Sequence, residues 1–309
     1  MQLLVGVLVV YQLLTVSVWA AKPTFTVIEQ PDRLRLSLET QPVAEYVFRD
    51  KQILRPYLTQ IRTPSGHPVT RSHPPVQGVD EVDHETMHPG LWIGFGDLNG
   101  HDFWRNQGRI EHQQFTIAPT VEAGVLIWST QSRIVSPAGD EIGQWSNRFT
   151  CTTRPQGWRV SWDATLHSDT LTLAFGDQEE MGFGARMATG LTEKHGGLIT
   201  NSAGLQTAKA TWGQPAKWCD YSGRIANQPI GLTLMTTDGE ARPSWWHNRD
   251  YGLFVANPFG RAALRQGERS VVTVPPGQPL TLRFAAVIHE STGYDPSAEY
   301  EAWSQALRR

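Results

Sequence analysis

The sequence predicts an all-β chain folded as one large twisted β-sandwich that ends in a short helix. Three observations carry this. Short apolar or alternating segments recur along most of the chain, bounded by Gly, Pro, Asn, Asp or Ser. Helical periodicity is missing until the C-terminal end. No repeat, low-complexity tract or linker divides residues 21–309, so they read as a single domain.

Taken in order, Leu3 to Trp19 is an uncharged apolar run closing on Val18-Trp19-Ala20, with the first charge at Lys22. Small residues at 18 and 20 predict a signal peptide over 1–20, cleaved after Ala20, and hence an exported protein, periplasmic or extracellular. A retained anchor is the alternative, although the run is short for a span of roughly 20 residues. No second such stretch follows, so no membrane contact is expected after cleavage. Strands are expected at 24–29 and 33–38 around a Pro31-Asp32 turn, and at 46–49 and 53–58. Further strands are expected at 113–117, 124–132, 147–154, 158–167 and 170–175. The last set is 230–236, 251–256, 270–274 and 280–289. Leu91 to Gly96 also looks like a strand. Asp295-Pro296 opens a helix to about Leu307, with Pro at its first position.

Composition narrows the function. The net charge of −3 offers no basic footprint for nucleic acid. Of the 27 basic residues 22 are Arg, and there are 12 Trp. Arg grips planar anions with two parallel hydrogen bonds, and Trp offers a flat apolar face with one polar handle. Together they suggest a carbohydrate surface, against the plainer reading that Trp fills a large core. Cys151 and Cys219 can pair in an exported chain, but nothing in their spacing requires it.

Residues 64–106, 176–197, 212–223 and 241–260 depart from strand patterning and concentrate Gly, His, Trp, Arg and acids, as functional loops do. Within the first, His84-Glu85-Thr86-Met87-His88 reads H-E-x-x-H. On a helix that spacing would bind zinc through both His, with Glu activating water. Here Pro89-Gly90 follows at once, and Leu91 and Gly94 stand where the longer zinc motif needs Gly and His. No metal is favoured; a divalent ion at His84 and His88 stays an alternative.

His84 to Trp92, Gly96-Asp97-Leu98-Asn99-Gly100-His101-Asp102-Phe103-Trp104, Arg186 to Thr189, Trp218 to Gly223, and Trp245-Trp246-His247 through Arg249-Asp250-Tyr251-Gly252-Leu253 to Gly260 resemble the signature of a bacterial family. It is labelled PmoA-like, is of unknown function and is common in planctomycetes and Bacteroidetes. The resemblance runs from about Arg55 to His289. It implies a neighbourhood of carbohydrate-degrading enzymes. A true methane monooxygenase subunit crosses the membrane many times, which this chain has no segments to do. The stretch from Arg55-Pro56-Tyr57 to Thr63-Pro64-Ser65-Gly66 is similar to galactose-mutarotase-like sandwiches, which bind sugars on one sheet face.

These readings converge on an expected carbohydrate-active protein: a glycosidase, a lyase or an epimerase. Hydrolysis needs two carboxyl groups, and the candidates are Asp97, Asp102, Glu179, Glu180, Asp220 and Asp250. Elimination or epimerisation needs a base near neutrality, for which His88 and His247 stand out. Arg249, or Arg186, would neutralise a uronate. Trp92, Asp97, Asn99, Asp102, Trp104, Tyr221 and Trp246 are the remaining expected substrate contacts. The rivals are a non-catalytic glycan-binding module, which would not need either His, and the metal-dependent hydrolase.

Overall fold

A computed structural model describes residues 23–237 and 243–308; the expected signal peptide lies outside them. The strands in chain order are β1 (Phe25–Glu29), β2 (Arg33–Leu38), β3 (Gln41–Val47), β4 (Tyr57–Thr59), β5 (Leu91–Phe95), β6 (Arg109–Glu122), β7 (Val125–Val135), β8 (Glu141–Arg154) and β9 (Gly157–His167). They continue as β10 (Leu173–Phe175), β11 (Met181–Arg186), β12 (Leu198–Asn201), β13 (Trp218–Ile225), β14 (Gln228–Thr236), β15 (Trp245–Asn248), β16 (Leu253–Asn257), β17 (Val272–Val274) and β18 (Leu280–His289). One helical turn, α1 (Ala208–Thr211), precedes β13, and α2 (Pro296–Ala306) follows β18.

Two eight-stranded antiparallel sheets face each other. The first runs β1-β2-β3-β4-β5-β11-β16-β15 and the second β12-β13-β14-β18-β9-β8-β7-β6, with β10 and β17 forming a separate pair. In β2 the alternation expected of a half-buried strand is plain: Leu34, Leu36 and Leu38 point inward while Arg33 and Arg35 reach Glu45 outside. The inner faces meet through aromatic pairs. Tyr46 lies 4.7 Å from Phe149, Phe95 5.6 Å from Trp145, and Phe183 4.9 Å from Phe284. Burying each such ring stabilises the sandwich by about 2–3 kcal/mol.

The all-β sandwich and its C-terminal helix are as the sequence predicts. Asp295 caps α2 by accepting from Ser297 and Ala298, and the helix buries Tyr300 and Trp303 on the outer face of the second sheet. Several details differ. The stretches 176–197, 212–223 and 241–260 depart from strand patterning, yet they hold β11, most of β13, and β15, besides β16 where a strand is expected at 251–256. In β11 and β15 every residue is buried, so no alternation marks them. The strand expected at 53–58 shrinks to β4. Upstream of it, Asp50 takes the N–H groups of Gln52 and Ile53 and the hydroxyl of Tyr57, holding a turn. Cys151 and Cys219 remain free, buried thiols, and burial pushes both upward in pKa.

Candidate functional site

The outer face of the first sheet gathers many of the candidate residues. Its register sets His247 opposite Val255, Val255 opposite Gly184, and Gly184 opposite Trp92. These four share one face, three inter-strand steps or roughly 14 Å from end to end. The glycines of β5 and β11 make the floor. A Cβ on Gly94 would fall 2.9 Å from the Trp104 ring, and one on Gly184 3.1 Å from Trp92. The two indoles therefore approach the strands closely, fully buried and edge-on to each other at 5.3 Å.

Residues 80–90 cover this end of the floor, and buried arginines hold them. Arg55 donates to the carbonyls of Trp104 and Met87 and to Asn106. Arg71 donates to the carbonyls of Glu81, Asp83 and His88. Arg186 grips Asp83 with two bonds of 3.0 and 2.7 Å, and its guanidinium lies 4.4 Å from the centre of the Tyr251 ring. Burial pushes the Asp83 carboxyl up, but Arg186, His84 and Arg71 override it and hold it well below its ordinary value. The motif at 84–88 forms a single turn rather than a helix, with Met87 and His88 both bonded to the His84 carbonyl. The imidazoles of His84 and His88 stack at 5.0 Å, and His88 stacks on Trp92 at 5.3 Å. His88 is almost wholly buried. Burial and the neighbouring Arg186 hold its pKa well below the ordinary imidazole value, so the ring is neutral. The zinc-protease geometry is thus not formed. Among the described residues no group of three ligating side chains stands close enough to hold a metal.

The other end of the row opens into a cleft of about 590 Å³ lined by Glu179, Trp212, Arg249, Asp250, Arg265 and their neighbours. That size suits a small ligand. His247 rises beneath it, 3% exposed. Its Nδ1 lies 3.1 Å from the Glu179 carbonyl. A carbonyl only accepts, so Nδ1 carries the proton and Nε2 presents a lone pair. That Nε2 is 3.3 Å from Glu179 Oε2 but lacks hydrogen-bond alignment, so it is buried without a partner. Burial, seconded by Arg249, pushes the His247 pKa down to about 4. Burial raises the Glu179 carboxyl, and Arg249, bonded to it at 2.8 Å, limits the rise. A neutral base and a carboxylate therefore share one small volume, where a single proton would satisfy both.

The expected site residues separate into three places. His247, Arg249 and Asp250 meet at the cleft, Arg249 and Asp250 in its wall. Glu180 lies next to it in the chain and is paired with Arg105, which also holds Asp102. His84, His88, Trp92, Trp104 and Arg186 gather at the other end of the same face. The rest are corrections. Trp246 points into the core, wholly buried, and its indole N–H donates to the Ala216 carbonyl, so it is no binding wall. Trp92 and Trp104 are likewise sealed from any ligand at their faces. Tyr221 is buried too. Its hydroxyl donates to the Asp250 carbonyl and accepts from the Glu193 N–H, which steadies the cleft wall from behind. Asp97 and Asn99 are turn residues: Asp97 accepts from Gly100, and Asn99 ties this turn to Thr172 and Ala174. Glu179 had only a place among six carboxylates. Trp212 and Arg265 had none, because nothing local marks which loops meet.

Asp220 stands elsewhere. It lies on the outer face of the second sheet, near α2, and bonds His289 Nε2 at 2.8 Å and Thr233 Oγ1 at 2.7 Å. Tyr294 stacks on His289 at 3.8 Å. Burial pushes the Asp220 carboxyl up, but His289, Thr233 and Ser222 more than offset this and leave it below 3.8. A depressed carboxylate stabilises the fold above its unfolded pKa and loses that stability as pH falls through the folded value. We expect Asp220→Asn to lower unfolding free energy by about 1–3 kcal/mol at neutral pH and to flatten the loss of stability below about pH 4. Urea titrations at pH 7 and pH 3 check this. An unchanged pH response would exclude the pair as a structural clamp.

No curated protein matches the chain. Among solved structures it is similar to galactose 1-epimerase from Lactobacillus acidophilus NCFM, with 9% identity, a TM-score of 0.43 and coverage of 88% of this chain and 100% of that one. It is also similar to a galactose mutarotase-like protein from Lactobacillus casei ATCC 334, with 11% identity, a TM-score of 0.35 and coverage of 86% and 100%. A third likeness is to the alpha-galactosidase from Lactobacillus brevis, with 6% identity, a TM-score of 0.41 and coverage of 87% and 39%. Residues 33–303 match a family described as "Family of unknown function (DUF6807)", and the chain belongs to that family.

Proposed function

We propose that the protein is a carbohydrate-active enzyme that moves a proton on a sugar bound in the cleft beside His247. The observation that carries this is the buried, unpartnered Nε2 of His247, held 3.3 Å from the Glu179 carboxylate at the cleft. Such an atom is costly unless a ligand donates to it. Glu179, with its raised carboxyl, is the base: it takes a proton from a sugar carbon or hydroxyl. A substrate hydroxyl donating to His247 Nε2 orients the ring being attacked. Arg249 steadies the charge that develops as the electrons of the broken bond pass to the sugar. In elimination they form the C=C bond as the C–O bond to the leaving oxygen breaks, and the protonated Glu179 hands its proton to that oxygen; in epimerisation the planar carbanion takes a proton from water on its other face and Glu179 gives its own proton back to water. A carboxylate and an imidazole in direct reach suit epimerisation or elimination better than hydrolysis, which places two carboxyl groups on either side of the bond.

Proton NMR of an oligosaccharide panel, uronates included, tests it. A vinyl proton or an altered epimer ratio is expected. A new reducing end without either would make the enzyme a hydrolase and overturn the roles given to this pair. Line broadening without any product would leave a glycan-binding module, the second reading, which the Arg and Trp lining of the cleft also supports.

A further inference from the structure

Part of the cleft wall is a well-anchored loop that carries Arg265. The Asp177 carboxylate accepts three backbone N–H groups of this loop, from Ala262 and Ala263 at 2.9 Å and from Ser270 at 3.0 Å. Asn257 fastens the loop's start through Phe259 and Gly260. The same Asn257 side chain donates to the carbonyls of Gln178 and Glu179. The loop and the proposed base therefore share one anchor. At its far end Arg265 takes a left-handed backbone, φ +58°, which costs a non-glycine residue about 1–3 kcal/mol and persists only where the surroundings impose it.

That conformation brings the Arg265 guanidinium 5.5 Å from the centre of the Trp212 ring, and Arg249 approaches the same ring at 5.8 Å. The two cations differ in one respect. Arg249 is neutralised by Glu179 at 2.8 Å. Arg265 makes no ion pair with a described residue, and neither does Lys209 on the same cleft. Of the acids there, Glu193 is already bonded to the Ala208 N–H at 2.8 Å, and the Asp250 side chain is exposed. A guanidinium that approaches an indole without an acid partner keeps N–H groups free for an anion, to which it can offer two parallel bonds. With two cations already at Trp212, a cationic ligand gains nothing from that ring.

We infer that the cleft selects a sugar bearing a carboxylate or sulfate and that Arg265 holds that anion. The inference rests on the proposed reading of the cleft as a carbohydrate site. It adds the class of sugar and the residue that reads it. Arg265 is exposed and forms no bond that the fold depends on, so its removal should leave the protein folded.

The test is calorimetric titration of the full chain with tetrasaccharides of galacturonate, glucuronate, mannuronate and guluronate, each paired with its methyl ester. Sulfated oligosaccharides paired with their desulfated forms make the second arm. We expect one acid to bind at least about tenfold tighter than its neutral partner, with affinity falling as salt rises. Arg265→Ala should erase that preference, and Arg265→Lys should keep part of it. Which arm shows the preference identifies carboxylate or sulfate. Equal binding of acid and ester, or a preference that survives in Arg265→Ala, overturns the inference. Binding of neutral sugars only overturns it while the carbohydrate reading stands. Binding of none of the panel overturns both.

Discussion

Replacing Glu179 by Gln is expected to lower kcat/KM on the carbohydrate substrate by about 10²–10⁴-fold, the range over which a positioned general base acts. The substitution keeps the shape of the side chain and removes its ability to take a proton. It also removes the partner of Arg249, but that pair is about one-third exposed and is worth about 0–1 kcal/mol. The unfolding midpoint should therefore hardly move while activity collapses. The wild-type pH profile provides a second readout. The base must be ionised, and burial raises the Glu179 carboxyl above 4.5, so the acid limb of kcat/KM should fall above pH 4.5. His247, pushed to about 4, stays neutral across the working range. Glu179→Asp keeps the charge but withdraws it by one methylene, so it should retain the acid limb at a reduced rate. A Gln variant with wild-type kcat/KM would remove Glu179 from the chemistry.

Trp246→Ala is expected to cost about 3–5 kcal/mol of stability, the usual range for deleting a large aromatic side chain from a packed core. Trp246 is wholly buried on β15, next to His247 in the chain but on the opposite face of the strand. Its N–H bond to the Ala216 carbonyl fastens the chain entering β13. Trp246→Phe retains most of the volume and loses that bond, so it should cost about 1–2 kcal/mol, leaving an unpaired buried carbonyl. Urea denaturation of the two variants measures both. The Phe variant should also keep wild-type sugar affinity. If Phe abolished binding while stability held, Trp246 would be a ligand contact after all.

The contrast between these neighbours shows what was legible beforehand. Trp246 and His247 both looked functional, because Trp and His beside Arg and Asp are the residues that bind sugars. A strand, however, sends successive side chains to opposite faces. Once 245–248 is a strand, one of the pair must enter the core. The strand was hidden because all four residues are buried, which removes the alternation that marks a half-exposed strand. The same holds for Asp220 and Tyr221 on β13, where one faces α2 and the other reaches through the core to the cleft wall. His84 and His88 were visible as a pair at a metal-ligand spacing, yet Pro89 stops any helix, and the buried arginines fix the turn instead.

By itself the sequence determined the fold class, most strands with clean alternation and the capped C-terminal helix. These follow from periodicity, turn chemistry and composition, which act over a few residues at a time. Only the tertiary structure decided which of the many Trp, His and acidic residues share a site. Glu179, His247 and Arg265 come from separate segments, joined by the β15–β16 register and by the Asn257 and Asp177 hydrogen bonds. Such long-range pairings leave no local trace in the chain. They exist because buried backbone and side-chain polar groups must find partners wherever the sheets bring them together.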